Sequence, residues 1–150
     1  MAVDEVFSNA EFCLRCSGKV AYAGWFAAPR LEYMLMVERL SNTHRGDLAL
    51  ANVIVAGKAT FTEDVREAGI RMTKKNAYAL GAAHVVLVDG LKGSAVKAFL
   101  SMVMLVGRAP PNTKVFSDAA AASRFLAALV ETTESAEIEA LIKRTAANQT

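Results

Sequence analysis

The sequence predicts an α/β protein in which a mixed, largely parallel sheet of four to five strands carries an antiparallel amino-terminal edge and is covered by helices. Three observations predict it. Two continuous apolar, β-branched runs, Leu48 to Ala56 centred on Val53-Ile54-Val55 and Ala83-His84-Val85-Val86-Leu87-Val88, have the texture of strands covered on both faces. Segments with helical spacing follow them. Strand and helix then alternate along the chain, as a parallel sheet with crossover helices requires.

Taken in order, Glu11 to Lys19 has a period of two, with Phe12, Leu14 and Cys16 set against Cys13, Arg15 and Ser17, and reads as a half-buried strand ending at Gly18. Val20 to Ala28 is a strand or an irregular segment: Tyr22, Trp25 and Phe26 suit a strand, the alanines a helix. Pro29 fits the first turn of a helix over Arg30 to Thr43, whose stripe is Leu31, Met34, Leu35, Val37 and Leu40. After the Leu48 to Ala56 strand, Thr60 or Thr62 is placed to cap a helix with Glu63 and Asp64 in its first turn and Lys74 and Lys75 near its end. Its stripe of Val65, Ala68, Met72 and Ala79 runs to a stop at Gly81.

The stretch from Ala82 to Val106 organises the rest. Its strand closes at Asp89-Gly90, Leu91-Lys92-Gly93-Ser94 turns the chain, and Ser94 is the expected cap of a helix over Ala95 to Val106 that is apolar almost all round. Beyond it come a short strand over Thr113 to Ser117, a helix over Ala119 to Glu131 capped by Asp118, and an amphipathic carboxyl-terminal helix over residues 135–147, with Ile138, Leu141 and Ile142 facing inward.

The 150 residues fit one domain, 53% hydrophobic and 21% charged, which excludes a disordered chain and suits a cytoplasmic protein. A net charge of +2, with no Lys/Arg cluster interleaved with aromatics, argues against a nucleic-acid partner. Met1-Ala2-Val3-Asp4-Glu5 lacks the basic segment of a signal peptide, so export is not expected. The apolar run Ala95 to Val106 falls short of the ~20 residues of a membrane span.

With those elements in place, the chain resembles the STAS (sulphate transporter and anti-sigma factor antagonist) superfamily, in its SpoIIAA-like bacterial branch. The resemblance rests on element order, on the strand Asn52-Val53-Ile54-Val55, on the unit Ala83 to Val106, and on Lys114-Val115-Phe116-Ser117-Asp118 leading into Ala121-Ala122-Ser123-Arg124-Phe125-Leu126. It implies a non-enzymatic signalling module that binds a protein partner or a second copy of itself. Family members of the antagonist type carry a phosphorylated serine in an Asp-Ser-Ser-Gly-like turn. Here the comparable stretch is Ala59-Thr60-Phe61-Thr62-Glu63-Asp64, so the usual serine switch is not expected; Thr60 and Thr62 are the candidate acceptors, and Glu63 and Asp64 would repel an added dianion.

Few constellations carry chemistry. Cys13-Leu14-Arg15-Cys16 is a CxxC without a second ligand pair, and on a strand its thiols would point to opposite faces, so it reads as two reduced cysteines. His44 in a loop and His84 in a buried strand have no carboxylate or second histidine at ligand spacing and read as structural or solvated. No metal, cofactor or catalytic set is expected. Asp89, Lys92, Gly93, Ser94 and Lys97 lie where α/β sheets bind anions, at a strand end that opens a helix, and form the candidate ligand site of an alternative reading, a carrier or sensor of a small apolar or anionic ligand. Phe99, Met102, Val103 and Val106 are the candidate interface residues of the apolar helix, which is either buried in the monomer or part of an interface, possible homodimerisation included.

Overall fold

The computed structural model describes residues 2–56, 61–132 and 134–148. Its strands are β1 (Asp4–Ser8), β2 (Phe12–Ser17), β3 (Val20–Trp25), β4 (Ala49–Ile54), β5 (Gly81–Val86) and β6 (Thr113–Phe116). Its helices are α1 (Leu31–Thr43), α2 (Glu63–Lys74), α3 (Gly90–Val106), α4 (Ala119–Leu129) and α5 (Ser135–Ala146). The strands form one sheet in chain order, antiparallel from β1 to β3 and parallel from β3 to β6. The predicted mixed α/β class with an antiparallel amino-terminal edge therefore holds, with six strands among the described residues where four to five were expected.

Because α1, α2 and α3 connect successive neighbouring parallel strands in one direction across the sheet, crossovers of one hand place them on one face. That face holds a core of Phe12, Leu14, Trp25, Tyr33, Leu50 and Leu100 among others. After β6 the chain returns, and α4 and α5 cover the opposite face, where Tyr22, Val53, Val85, Leu126 and Ile142 pack. β2 is consequently buried along its whole length instead of on one side. Its period of two survives as a division between two cores: Cys16 faces α1–α3, and Cys13 lies against Thr145 of α5.

The two helical layers sit differently. Under α4 both partners include small residues: Ala49, Ala51 and Ala83 on the sheet share a cluster with Ala119, Ala122 and Ala127 on α4. At Gly24 a Cβ would stand 2.9 Å from both Cys13 Sγ and Thr145 Cγ2, so glycine is what admits α5 so close. On the other face α2 packs chiefly on α1 and α3 and makes few close approaches to the strands.

Several boundaries differ from expectation. β1 was not foreseen; it is exposed except at Phe7, and Glu5 sits opposite Arg15, whose fully buried guanidinium brings Nε to 3.3 Å from Glu5 Oε1. Pro29 precedes α1, and the Arg30 carbonyl accepts from the Tyr33 and Met34 amides at 3.1 and 3.2 Å. α2 ends at Lys74 because Asn76 turns left-handed at φ +49°, so Ala79 is not on the helix and Gly81 opens β5. α3 begins at Gly90, well before the predicted Ala95, with Asp89 at its N-cap position. Ser94 is therefore inside the helix and is not its cap. Asp118 does cap α4, accepting from the Ala121 amide at 2.7 Å.

The α3 start has a mutational signature. A Cβ at Gly93 would overlap the Val88 carbonyl, so Gly93→Ala should cost at least ~2 kcal/mol in urea denaturation, while Ser94→Ala should change stability by less than about 0.5 kcal/mol. A cost near 1 kcal/mol for Ser94→Ala would instead mark a capping serine and move the helix start back to Ala95.

Candidate functional site

Strand register places one residue from each strand on a single row across the α1–α3 face: Phe7, Leu14, Ala23, Asn52, His84 and Val115. Four are apolar, and the two polar ones are direct neighbours on adjacent parallel strands. Trp25 lies one step further along β3 on the same face.

These three side chains form a hydrogen-bonded line. The Trp25 indole can only donate, and its Nε1–H reaches Asn52 Oδ1 at 2.6 Å, which fixes the orientation of the amide. Asn52 Nδ2 is then the donor in its 3.0 Å contact with His84 Nδ1. An imidazole that accepts at Nδ1 carries its proton on Nε2. Burial disfavours the imidazolium and lowers the His84 pKa to about 4, so the ring is neutral near pH 7. Among the described residues nothing accepts from Nε2.

His84 and Asn52 line a cavity of about 140 Å³ between the sheet and α1–α3. Its walls are mostly apolar, with Leu50 and Ile54 on the sheet, Val37 on α1, Val65 and Met72 on α2 and Leu100 on α3. Phe99 of α3 stacks on Phe61, with ring centroids 3.7 Å apart and planes 14° from parallel, and both rings face the cavity. Of the three wall hydroxyls, on Thr73, Tyr78 and Thr113, two are committed: Tyr78 donates to the Val37 carbonyl at 2.7 Å and Thr73 to the Gly69 carbonyl at 2.8 Å. Among the described residues no Asp, Glu, Lys or Arg lines the cavity.

Comparison with protein-family models, with curated proteins and with solved structures finds no match to this chain.

The expected anion site is differently composed. Lys92 and Ser94 are exposed on the first turn of α3, Gly93 is buried against Val88, and Lys97 Nζ donates to Ser117 Oγ at 2.7 Å. Asp89 is exposed and its side chain caps nothing. These five residues do not line the cavity. Of the expected interface residues, Val103 is buried and Phe99 half-buried, and both line the cavity; Met102 is half-buried and Val106 is 47% exposed. Thr62 occupies the N-cap position of α2, but its hydroxyl donates to Asp64 Oδ1 at 2.5 Å instead of capping, and Thr60 lies outside the described residues. Among the described residues no group of three His, Cys, Asp or Glu is placed to hold a metal, and no helix is long and apolar enough to cross a membrane.

From the sequence, Asn52 is only a member of the strand Asn52-Val53-Ile54-Val55, and His84 reads as structural or solvated. The signal available was one polar side chain inside each of two otherwise apolar strands; what was missing was the register that makes them neighbours.

The cavity wall is tied together at the α1–α2 seam. The Glu38 carboxylate receives Arg71 Nη2 at 2.9 Å and Nε at 3.3 Å, and Lys75 Nζ lies 2.9 Å away. Hydrogen bonding from Arg71, joined by Lys75, outweighs partial burial and lowers the Glu38 pKa to about 2. With a pKa depressed in the folded state, the stabilisation is complete above about pH 4.5 and disappears as pH falls toward 2. Glu38→Gln should therefore lower stability by about 1 kcal/mol at pH 7, with the gap to wild type closing between pH 4.5 and 2 in a pH series of thermal melts.

Proposed function

We propose that this protein binds a small, largely apolar molecule in the cavity between the sheet and α1–α3, acting as a carrier or sensor without turning the ligand over. The observation that carries the reading is the line from Trp25 through Asn52 to His84, which delivers one oriented N–H donor to a wall that is otherwise mostly apolar. A mostly apolar concavity with few placed polar groups is the usual make-up of a small-molecule site. The chemistry of His84 favours binding over catalysis. An imidazole with a pKa near 4 is a weak base at neutral pH, and its Nδ1 faces an amide where a general base would face a carboxylate. The Tyr78 and Thr73 hydroxyls on the wall are occupied by backbone carbonyls.

A cytoplasmic location belongs to the same proposal. It is supported by two free cysteines buried on opposite faces of the sheet, where no disulfide can join them. A STAS-like arrangement of the mixed sheet is likewise proposed, on element order.

A second reading, the regulatory interaction module that the STAS resemblance implies, is favoured by one feature of α3: Leu91 and Leu105 are 90% and 80% exposed on its outer side. If α3 pairs with a second copy, light scattering should give a dimer that Leu105→Glu converts to a folded monomer. A wild-type monomer would remove self-association from that reading.

For the cavity itself, Ala82→Leu places a larger side chain on its wall. Binding of cyclohexanone, followed by chemical-shift titration, should weaken at least ~10-fold in this variant while circular dichroism keeps the wild-type signature. Unchanged binding would place the ligand elsewhere.

A further inference from the structure

The cavity's dimensions and polarity define what it accepts. An engineered apolar cavity of about 150 Å³ in another protein holds benzene, so about 140 Å³ corresponds to a single six-membered ring or a branched chain of similar bulk. No charged side chain lines it among the described residues, so an ionised carboxylate or ammonium would find no counterion among them and would lose hydration at a cost of several kcal/mol. The polar groups of the wall are not equivalent. Trp25 Nε1 is used by Asn52, Asn52 Nδ2 by His84 Nδ1, and the Tyr78 and Thr73 hydroxyls by backbone carbonyls; the Asn76 and Thr113 side chains complete the polar lining, and neither is held by a line of this kind. His84 Nε2 is a donor without an acceptor among the described residues, and its direction is held by the line behind it. A pure hydrocarbon would cover that N–H and leave it unpaired, whereas a ligand oxygen would satisfy it.

We propose that the ligand is a neutral molecule of single-ring size that carries a hydrogen-bond acceptor such as a ketone, ester or ether oxygen, and that His84 Nε2–H is the group that selects it. This rests on the ligand-binding reading of the cavity. His84 touches the ligand directly; Asn52 and Trp25 are positioning residues that hold the tautomer and aim the donor.

The test uses cyclohexane, cyclohexanone and cyclohexanecarboxylate at pH 7, with wild type and His84→Leu. Cyclohexane partitions out of water more readily than the ketone, so the quantity read is the ratio of the two affinities and its change on substitution. The ketone-to-hydrocarbon ratio should fall at least ~10-fold in His84→Leu, the loss expected for one buried hydrogen bond. In wild type, the His84 Nε2–H proton resonance should move downfield on saturation with cyclohexanone and less with cyclohexane, a readout that needs no variant to fold. Cyclohexanecarboxylate should not bind. If ketone and hydrocarbon both bind but the resonance responds alike to each, the selection by His84 is overturned while the cavity remains a binding site. Carboxylate binding as tight as that of the ketone overturns the neutrality of the ligand. If none of the three binds wild type, the ligand reading fails and this inference fails with it.

Discussion

Asn52 and His84 stand side by side on a sheet face that is otherwise mostly apolar and roofed by helices, and the site is organised by how that juxtaposition is satisfied. A buried polar group left unpaired costs about 1–3 kcal/mol, so two neighbours of this kind need a partner that fixes their orientation. Trp25 supplies it because an indole has only a donor to offer. That single asymmetry propagates: it sets the Asn52 amide, the amide sets the imidazole tautomer, and the tautomer leaves a donor on Nε2. Protonating His84 would turn the Nδ1 acceptor into a second donor facing the Asn52 NH₂ group, which adds to burial as a reason for the ring to stay neutral.

The apolar lining of the cavity sets it apart from the space on the other face. Alanine against alanine, with Gly24 beneath α5, lets the α4–α5 layer settle closely on the strands, and the concavity left there, also about 140 Å³, is lined by the charged Lys19, Glu134 and Glu137. The α1–α3 layer meets aromatic side chains beside the small Ala21, Ala23 and Ala82. Phe12, Trp25 and Tyr33 form an aromatic group at the β2–β3 end, with Phe12 and Tyr33 stacked at 4.8 Å, while Phe61 and Phe99 stack at 3.7 Å before α2 and on α3. α2 spans between α1 and α3, tied to α1 by the Glu38 carboxylate and its two cations. Space is left beneath it, over Asn52 and His84.

The parts of this fold legible in the sequence were those dictated by local pattern. β4 and β5 announce themselves as apolar runs, Asp118 as a cap, and α5 by its stripe of Ile138, Leu141 and Ile142. What was missed depends on partners distant in sequence. β1 is acidic and mostly exposed, and its strand character comes from pairing with β2. The Gly90 to Ser94 stretch looks like a turn because it holds two glycines, yet Gly93 is the residue that lets the first helical turn lie against the Val88 carbonyl. At the end of α2 the alanine pattern continues past Asn76, whose left-handed conformation stops the helix. Asn52 and His84 are 32 residues apart, and only register makes them neighbours. The apolar character of α3 was legible, whereas its division between a cavity wall at Phe99, Leu100 and Val103 and an outer side bearing Leu91 and Leu105 was not.

The most direct test of the account is a crystal structure of the protein equilibrated with cyclohexanone. The account predicts density for one ring between the sheet and α2, with the ketone oxygen about 3 Å from His84 Nε2 and the Trp25–Asn52–His84 line intact. A cavity closed by the surrounding side chains, or a ligand bound away from His84, would contradict it.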